Sequence, residues 1–272
     1  MTLIVGIICK EAIVLAADSQ TTKGMAKIPG AQKISVIEFL NGKALVAESG
    51  SASLSTATIQ CLQNKASEIQ IEDESTVAKT VESAIREIRS SLMGLHPNCT
   101  SPEEWKRYFF DPDNYFELMA AYYFDGKPSL YILNPAWCIP VRATSYFMTS
   151  GIAGDLANYI LKEHTSRDMD FELASVIAIK TIEDAIEYVE GCGSPPRAAL
   201  IRAPLPSQGK QLTYIAGTNF ATVVVLQEPQ VEGIAGIIAS VEKESQNVRN
   251  KTIHEALRAK ANQLFKHLFE DE

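Results

Sequence analysis

Thr2 stands directly behind Met1, at the head of the most apolar hairpin in the chain, LIVGIICKEAIVLAAD. A threonine hydroxyl is a weak nucleophile until a base takes its proton, and a free N-terminal amine can be that base on the same residue. An α-amino group has a pKa of about 7.7 to 8.0, so a useful neutral fraction exists near neutral pH. Removal of Met1 would create nucleophile and base together. A side chain as small as Thr at position 2 lets an initiator-methionine aminopeptidase do this without an autolytic step. The plain alternative is a ragged start with no chemistry in it.

Other chemistries find less support. Cys9, Cys61, Cys99, Cys138 and Cys192 are odd in number and widely spaced, with no Cys-x-x-Cys pair. That argues against a disulfide framework or a zinc site. Cys192 has no nearby His and reads as a small buried residue. His96, His164, His254 and His267 are scattered, which disfavours a Ser-His-Asp triad, and there is no Gly-rich phosphate loop. No cofactor and no metal are expected.

The elements that must hold Thr2 follow from pattern. With 272 residues, 46% hydrophobic and 21% charged, the chain has the apolar material of a sizeable globular core. A net charge of -8, without any run of five Lys or Arg, argues against a nucleic-acid partner or an anionic membrane surface. The segments IVLAA, TVVVL and GIAGIIASV are too short to span a bilayer, and no basic stretch precedes an apolar one at the start; a cytoplasmic protein is expected.

Residues 3–17 read as two strands meeting at Lys10-Glu11, both almost continuously apolar, the pattern of strands covered on both faces. KISVIEF and KALVAES form a second hairpin around Asn41-Gly42. Helical spacing follows over 51–70 and 75–95, and 96–114, rich in Pro and aromatics without a clean period, reads as an ordered insertion loop. Strands return in FELMAAYYFDGKPSLYIL, then two helices in GDLANYILKEH and FELASVIAIKTIEDAIEYVEG, then the strand RAALIRA. Segregated blocks of strands and helices predict α+β, and a hairpin buried on both faces predicts two packed sheets with helices outside, a four-layer αββα sandwich. The domain is expected over 2–239, with 240–272 a terminal amphipathic helix whose apolar face (Val248, Ile253, Leu257, Ala261, Leu264, Leu268) would contact a partner subunit.

The motifs TLIVG (2–6), Ala16-Ala17-Asp18 and Gln32-Lys33-Ile34 together resemble the proteasome β-subunit family, within the N-terminal nucleophile hydrolases. ALVAESGSAS resembles the family's approach to its first helix, TSGIAGDLANYIL its Gly-Ser-Gly approach to the third, and CGSPPRAALI its Gly-Gly-Pro turn. The matches run in order over roughly 2–201, and SQTT at 19–22 is similar to the simpler bacterial proteasome-like protease of the ATP-dependent type.

The resemblance implies roles. Thr2 would be the nucleophile, Lys33 would lie beside its hydroxyl, and Asp18 would pair with Lys33. The backbone N–H of Ala47 would meet the oxyanion, where the family usually has Gly. Ser150 would support the amine or, read locally, cap the helix that follows. Thr21, Ala31, Ser35, Leu45 and Ser49 would line the pocket for the residue before the scissile bond, with Leu45 favouring apolar side chains. The family's supporting Asp and Ser are not visible before the last core strand, where Val189, Glu190 and Cys192 stand; Glu190 could replace the Asp.

The activity implied is a threonine peptidase acting on peptides or unfolded proteins inside a homo-oligomeric ring, in one ring or two stacked ones, with an ATP-dependent unfoldase as partner. Two rivals stay open: a ring protein that keeps the fold without efficient chemistry, and a small-molecule amidohydrolase of the same superfamily.

Overall fold

The computed structural model describes residues 2–23, 26–96, 101–111, 113–202, 222–226 and 229–236. The expected terminal helix at 240–272 lies outside them, as does Cys99.

The chain opens with β1 (Leu3–Ile8) and β2 (Ala12–Ala17), followed by a small hairpin, β3 (Thr21–Lys23) and β4 (Ala26–Ile28). The hairpin β5 (Ile34–Phe39) and β6 (Gly42–Gly50) comes next, then α1 (Ala52–Ala66), α2 (Thr76–Leu95) and α3 (Pro102–Phe110). After them run β7 (Phe116–Phe124), β8 (Lys127–Leu133), β9 (Val141–Arg142) and β10 (Phe147–Gly151). The described part closes with α4 (Gly154–His164), α5 (Phe171–Tyr188), β11 (Arg197–Arg202), β12 (Thr222–Leu226) and a helical stretch at 229–236.

The strands form two antiparallel five-stranded sheets, β10-β1-β2-β11-β12 and β5-β6-β7-β8-β9. Strand alternation sorts the apolar residues of the first hairpin into two cores. Leu3, Val5, Ile7, Val14 and Ala16 face α4 and α5, whereas Ile4, Ile13, Leu15 and Ala17 face the second sheet. In the second sheet Ile37, Ala44 and Val46 face α1 and α2, while Ile34, Leu45 and Ala47 join Met119 and Leu130 between the sheets. The result is the expected αββα sandwich. At Gly6 the sheets approach closely, since a β-carbon there would lie 2.8 Å from Met119 Sδ.

Local chemistry explains the turns. Asp125 and Gly126, with φ of 49° and 70°, form the two-residue loop between β7 and β8, the left-handed pair that Asp-Gly favours. In the other hairpin Gly42 already pairs with Phe39, leaving Leu40-Asn41 as the loop. Buried Asn41 donates from Nδ2 to the Ile71 carbonyl and accepts from the Ile71 N–H.

The sequence reading named no β3, β4, β9, β10 or helical stretch at 229–236, and residues 102–110, inside the expected loop, are helical. Ser101 accepts from the Glu104 N–H while the Glu104 side chain accepts from the Ser101 N–H, and Pro102 starts the helix. This is a capping box, and Ser101-Pro102-Glu103-Glu104 carries its signature. Clustered aromatics hid it, because both faces of α3 are apolar in part: Trp105 and Phe109 are buried in a small satellite core with Ala136.

Candidate active site

Thr2 is 5% exposed and ends the β1 edge where β10 pairs. Its carbonyl accepts from the Ile152 N–H at 3.0 Å. Gly151, with φ +103°, lets β10 pass so near that a β-carbon there would sit 1.8 Å from the Thr2 oxygen.

Asp18 follows β2, opposite Leu3, and is wholly buried. Its Oδ1 accepts from the Leu3 N–H at 3.0 Å and from Lys33 Nζ at 2.9 Å; its Oδ2 accepts from the Gln20 N–H at 3.4 Å and the Gly193 N–H at 3.3 Å. Four donors, three of them from other stretches of the chain, therefore converge on one carboxylate. Lys33, just ahead of β5 and 5% exposed, donates from the same Nζ to Thr2 Oγ1 at 2.6 Å. Burial lowers the ammonium's pKa below its ordinary value, and Asp18 opposes that shift by charge and hydrogen bond. The structure thus joins Thr2, Lys33 and Asp18 in one connected set.

Thr2 and Lys33 open onto a cleft of about 1130 Å³ whose wall also includes Gln20, Thr21, Glu48, Ser49, Gly50 and Tyr115. Burial raises the Glu48 carboxyl, with Ser55 and Lys33 pulling the other way. Thr21 and Ser49 reach the cleft as expected, but Ala31, Ser35 and Leu45 do not line it. Leu45 is fully buried in the core between the sheets, because residues 45 and 47 share the inward face of β6. Ala31 and Ser35 are partly buried, with the Ala31 N–H bonded to the Ser19 carbonyl and Ser35 paired with Val46 across the β5–β6 hairpin.

Ala47 requires a correction. The Glu48 N–H donates to the Lys33 carbonyl on the β5 side, and the Ser51 N–H donates to the Tyr115 carbonyl on the β7 side. Strand N–H groups alternate sides, so the N–H of Ala47 faces Met119, its partner on β7, and belongs to the sheet ladder. The N–H of Gly50 faces the β5 side, past the end of β5, where Gly50 lines the cleft. The resemblance, which pointed to Ala47, carried no information on which way its N–H faces.

Ser150 is buried on β10, 2.8 Å from Ser49 Oγ, and donates to Glu117 at 2.5 Å. The Tyr115 hydroxyl donates to the other Glu117 oxygen. The sequence reading did not single out Glu117; the one signal was an acidic residue inside the otherwise apolar strand FELMAAYYF. Glu190 is exposed, and the contribution from this turn is instead the Gly193 N–H to Asp18. Cys192 is buried next to the pair, its thiol pushed up to about 11 mainly by burial and then by Asp18.

A model of the proteasome subunit family matches residues 2–195. The chain belongs to the proteasome subunit family. No match is found among curated protein sequences. Among solved structures, this proteasome-family chain is similar to Anbu from Hyphomicrobium sp. strain MC1, with 14% identity, coverage of 92% of this chain and 98% of that one, and a TM-score of 0.63. It is also similar to Anbu, the ancestral beta-subunit, from Yersinia bercovieri, with 13% identity, coverage of 91% and 98%, and a TM-score of 0.64. The Anbu complex from Pseudomonas aeruginosa, solved as a helical assembly, shares 16% identity over 91% of this chain and 97% of its own, with a TM-score of 0.60. Similarity at this identity speaks for the fold. No helix among the described residues is long and apolar enough to cross a membrane.

Proposed function

We propose that this proteasome-family chain is a threonine peptidase that acts through an acyl-enzyme on Thr2 once Met1 is removed. The observation that carries the reading is the 2.6 Å contact of Lys33 Nζ with Thr2 Oγ1, with Asp18 holding the lysine. A lysine so placed has no structural partner to gain from the hydroxyl that Asp18 does not already supply, whereas its charge stabilises the alkoxide character of an attacking oxygen.

In this reading the freed α-amine takes the Oγ1 proton as Oγ1 bonds to the scissile carbonyl carbon. The oxyanion meets the Gly50 N–H. Collapse breaks the C–N bond, the proton passes from the ammonium to the leaving amine, and a water activated by the same amine then hydrolyses the ester. Ser49 stands on the polar wall of the site, with Ser150 and Glu117 bonded behind it.

Peptides or unfolded proteins are the proposed substrates, and a homo-oligomeric ring, single or stacked, the proposed setting, with an ATP-dependent unfoldase as feeder. The helical assembly of the Pseudomonas aeruginosa relative supports a repeating head-to-tail contact, which gives rings when its rotation closes and helices when it does not. The exposure of Glu190 favours a second reading, a slow or silent catalyst that lacks a carboxylate beside the amine.

The test is the intact mass of untagged protein before and after an epoxyketone, which needs a hydroxyl and a free amine on one terminal residue. Loss of Met1 plus one adduct, absent in Thr2→Ala, supports the peptidase. A retained Met1, or a free Thr2 that stays unlabelled in folded protein, overturns it; labelling without peptide turnover selects the slow catalyst.

A further inference from the structure

α3 has two faces. Trp105 and Phe109 point into the satellite core, in ring contact with each other and with Tyr108, and fix the helix against Leu92 and Ala136. Phe110, the last helical residue, leaves that core. It stacks on Tyr115 with ring centroids 6.2 Å apart and an interplanar angle of 14°, and Trp137 meets it edge-on at 6.1 Å. Lys106 Nζ lies 3.6 Å above the Trp137 ring, so the aromatic stack is braced from behind.

Phe110 nevertheless remains 49% exposed; part of it lines the cleft that contains Thr2, and part a shallow hollow beside Lys106 and Arg107. Two further exposed apolar residues line the same cleft: Ile28 of β4 at 47%, and Ile152, after β10, at 49%. Apolar surface left open by three separate elements around one concave space marks where an apolar group is received. Of the charged residues lining this cleft, Lys33 is committed to Asp18, and the others are Glu48 and Asp113. Apart from the freed α-amine of Thr2, a carboxylate entering the cleft would meet the like charges of Glu48 and Asp113, because the one cationic side chain among these residues, Lys33, is already paired.

We propose that Phe110 is a specificity-determining residue: with Tyr115 it receives an apolar side chain of the peptide that acylates Thr2, and the cleft refuses acidic side chains. The proposal rests on the peptidase reading for its substrate class. The wall comes from α3, whose residues are outside the pocket set inferred by resemblance, although Thr21 and Ser49 of that set line the same cleft.

The experiment uses full-length oligomer and tripeptide epoxyketones that differ at one side chain, Leu, Phe, Ala or Glu, with labelling rates read by intact mass. The expected result is faster labelling with Leu and Phe than with Glu. Phe110→Ala should slow the Leu and Phe reagents about tenfold, the scale of a lost apolar contact in a pocket, while leaving the Ala reagent unchanged, and Phe110→Leu should restore most of the loss. An equal effect on all four reagents, or none, overturns the proposal. If no reagent labels Thr2, the peptidase reading fails by itself. Calorimetric binding of the matching unreactive peptide amides to Thr2→Ala protein then decides Phe110: a Leu-over-Glu preference lost in Thr2→Ala/Phe110→Ala supports it, and binding that ignores residue 110 overturns it.

Discussion

Gly151 and Thr2 touch through their backbones, with no room for a β-carbon between the Gly151 Cα and the Thr2 carbonyl oxygen 1.8 Å from where that carbon would stand. Gly151 also has φ +103°. The substitution Gly151→Ala therefore combines a strained conformation with an overlap against backbone that cannot rotate away, and is expected to cost about 3 kcal/mol or more. Gly126 is the control: its φ is +70° with nothing within 4 Å of an added carbon, so Gly126→Ala should cost only about 1 kcal/mol. Urea midpoints of the two variants test the difference, and equal midpoints would show that the approach at Thr2 relaxes freely.

Lys33 and Asp18 are buried together, 5% and 0% exposed. Removing one partner leaves the other charge uncompensated, so Lys33→Met and Asp18→Asn should each destabilise by about 3–5 kcal/mol. The double variant should be more stable than the sum of the two losses implies. In labelling by an epoxyketone each single variant should fall by about two to four orders of magnitude, and the double variant should recover stability without recovering labelling. Recovery of both would remove Lys33 from the chemistry.

Much of the architecture could be read in the sequence because burial on both faces of β1 and β2 leaves nearly continuous apolar runs, which require covering layers above and below. Thr2, Asp18 and Lys33 were legible for a different reason, the spacing of three short motifs. The proposed oxyanion donor was not, because the facing of an N–H depends on strand register, which the bonds from Glu48 to Lys33 and from Ser51 to Tyr115 give. Leu45 looked like a pocket residue in a linear count yet lies between the sheets. α3 went unread although Ser101 and Glu104 signalled its start, since periodicity fails when a nine-residue helix shows apolar residues both to a core and to a cleft.

Cys9 and Cys192 are buried thiols, each raised by desolvation to about 11. An ordinary thiol titrates near about 8.5, so between that value and about 11 the unfolded chain loses protons that the folded chain keeps. Stability should therefore fall as pH rises through this window, and remain insensitive to these groups below it. Thermal melts of the parent and of Cys9→Ala/Cys192→Ala between pH 7 and 11 should show the shallower decline in the double variant. Parallel curves would mean that neither thiol holds its proton against the solvent.

Glu117 gathers hydroxyl donors from Tyr115 and Ser150, and Ser150 in turn meets Ser49 at the cleft wall. A carboxylate can accept from both hydroxyls at once, whereas a glutamine offers one acceptor oxygen and an NH2 that needs an acceptor of its own. Glu117→Gln should thus force one hydroxyl to turn from donor to acceptor, replacing a charge-assisted bond by a neutral one at a cost of about 1 kcal/mol, and burial already raises the Tyr115 hydroxyl, which keeps it protonated as a donor. If Ser150 serves the nucleophile, labelling of Thr2 should slow in Glu117→Gln and equally in Ser150→Ala, with no further loss when the two are combined. Normal labelling in a destabilised Glu117→Gln protein would instead confine this chain of hydroxyls to holding β7 against β10.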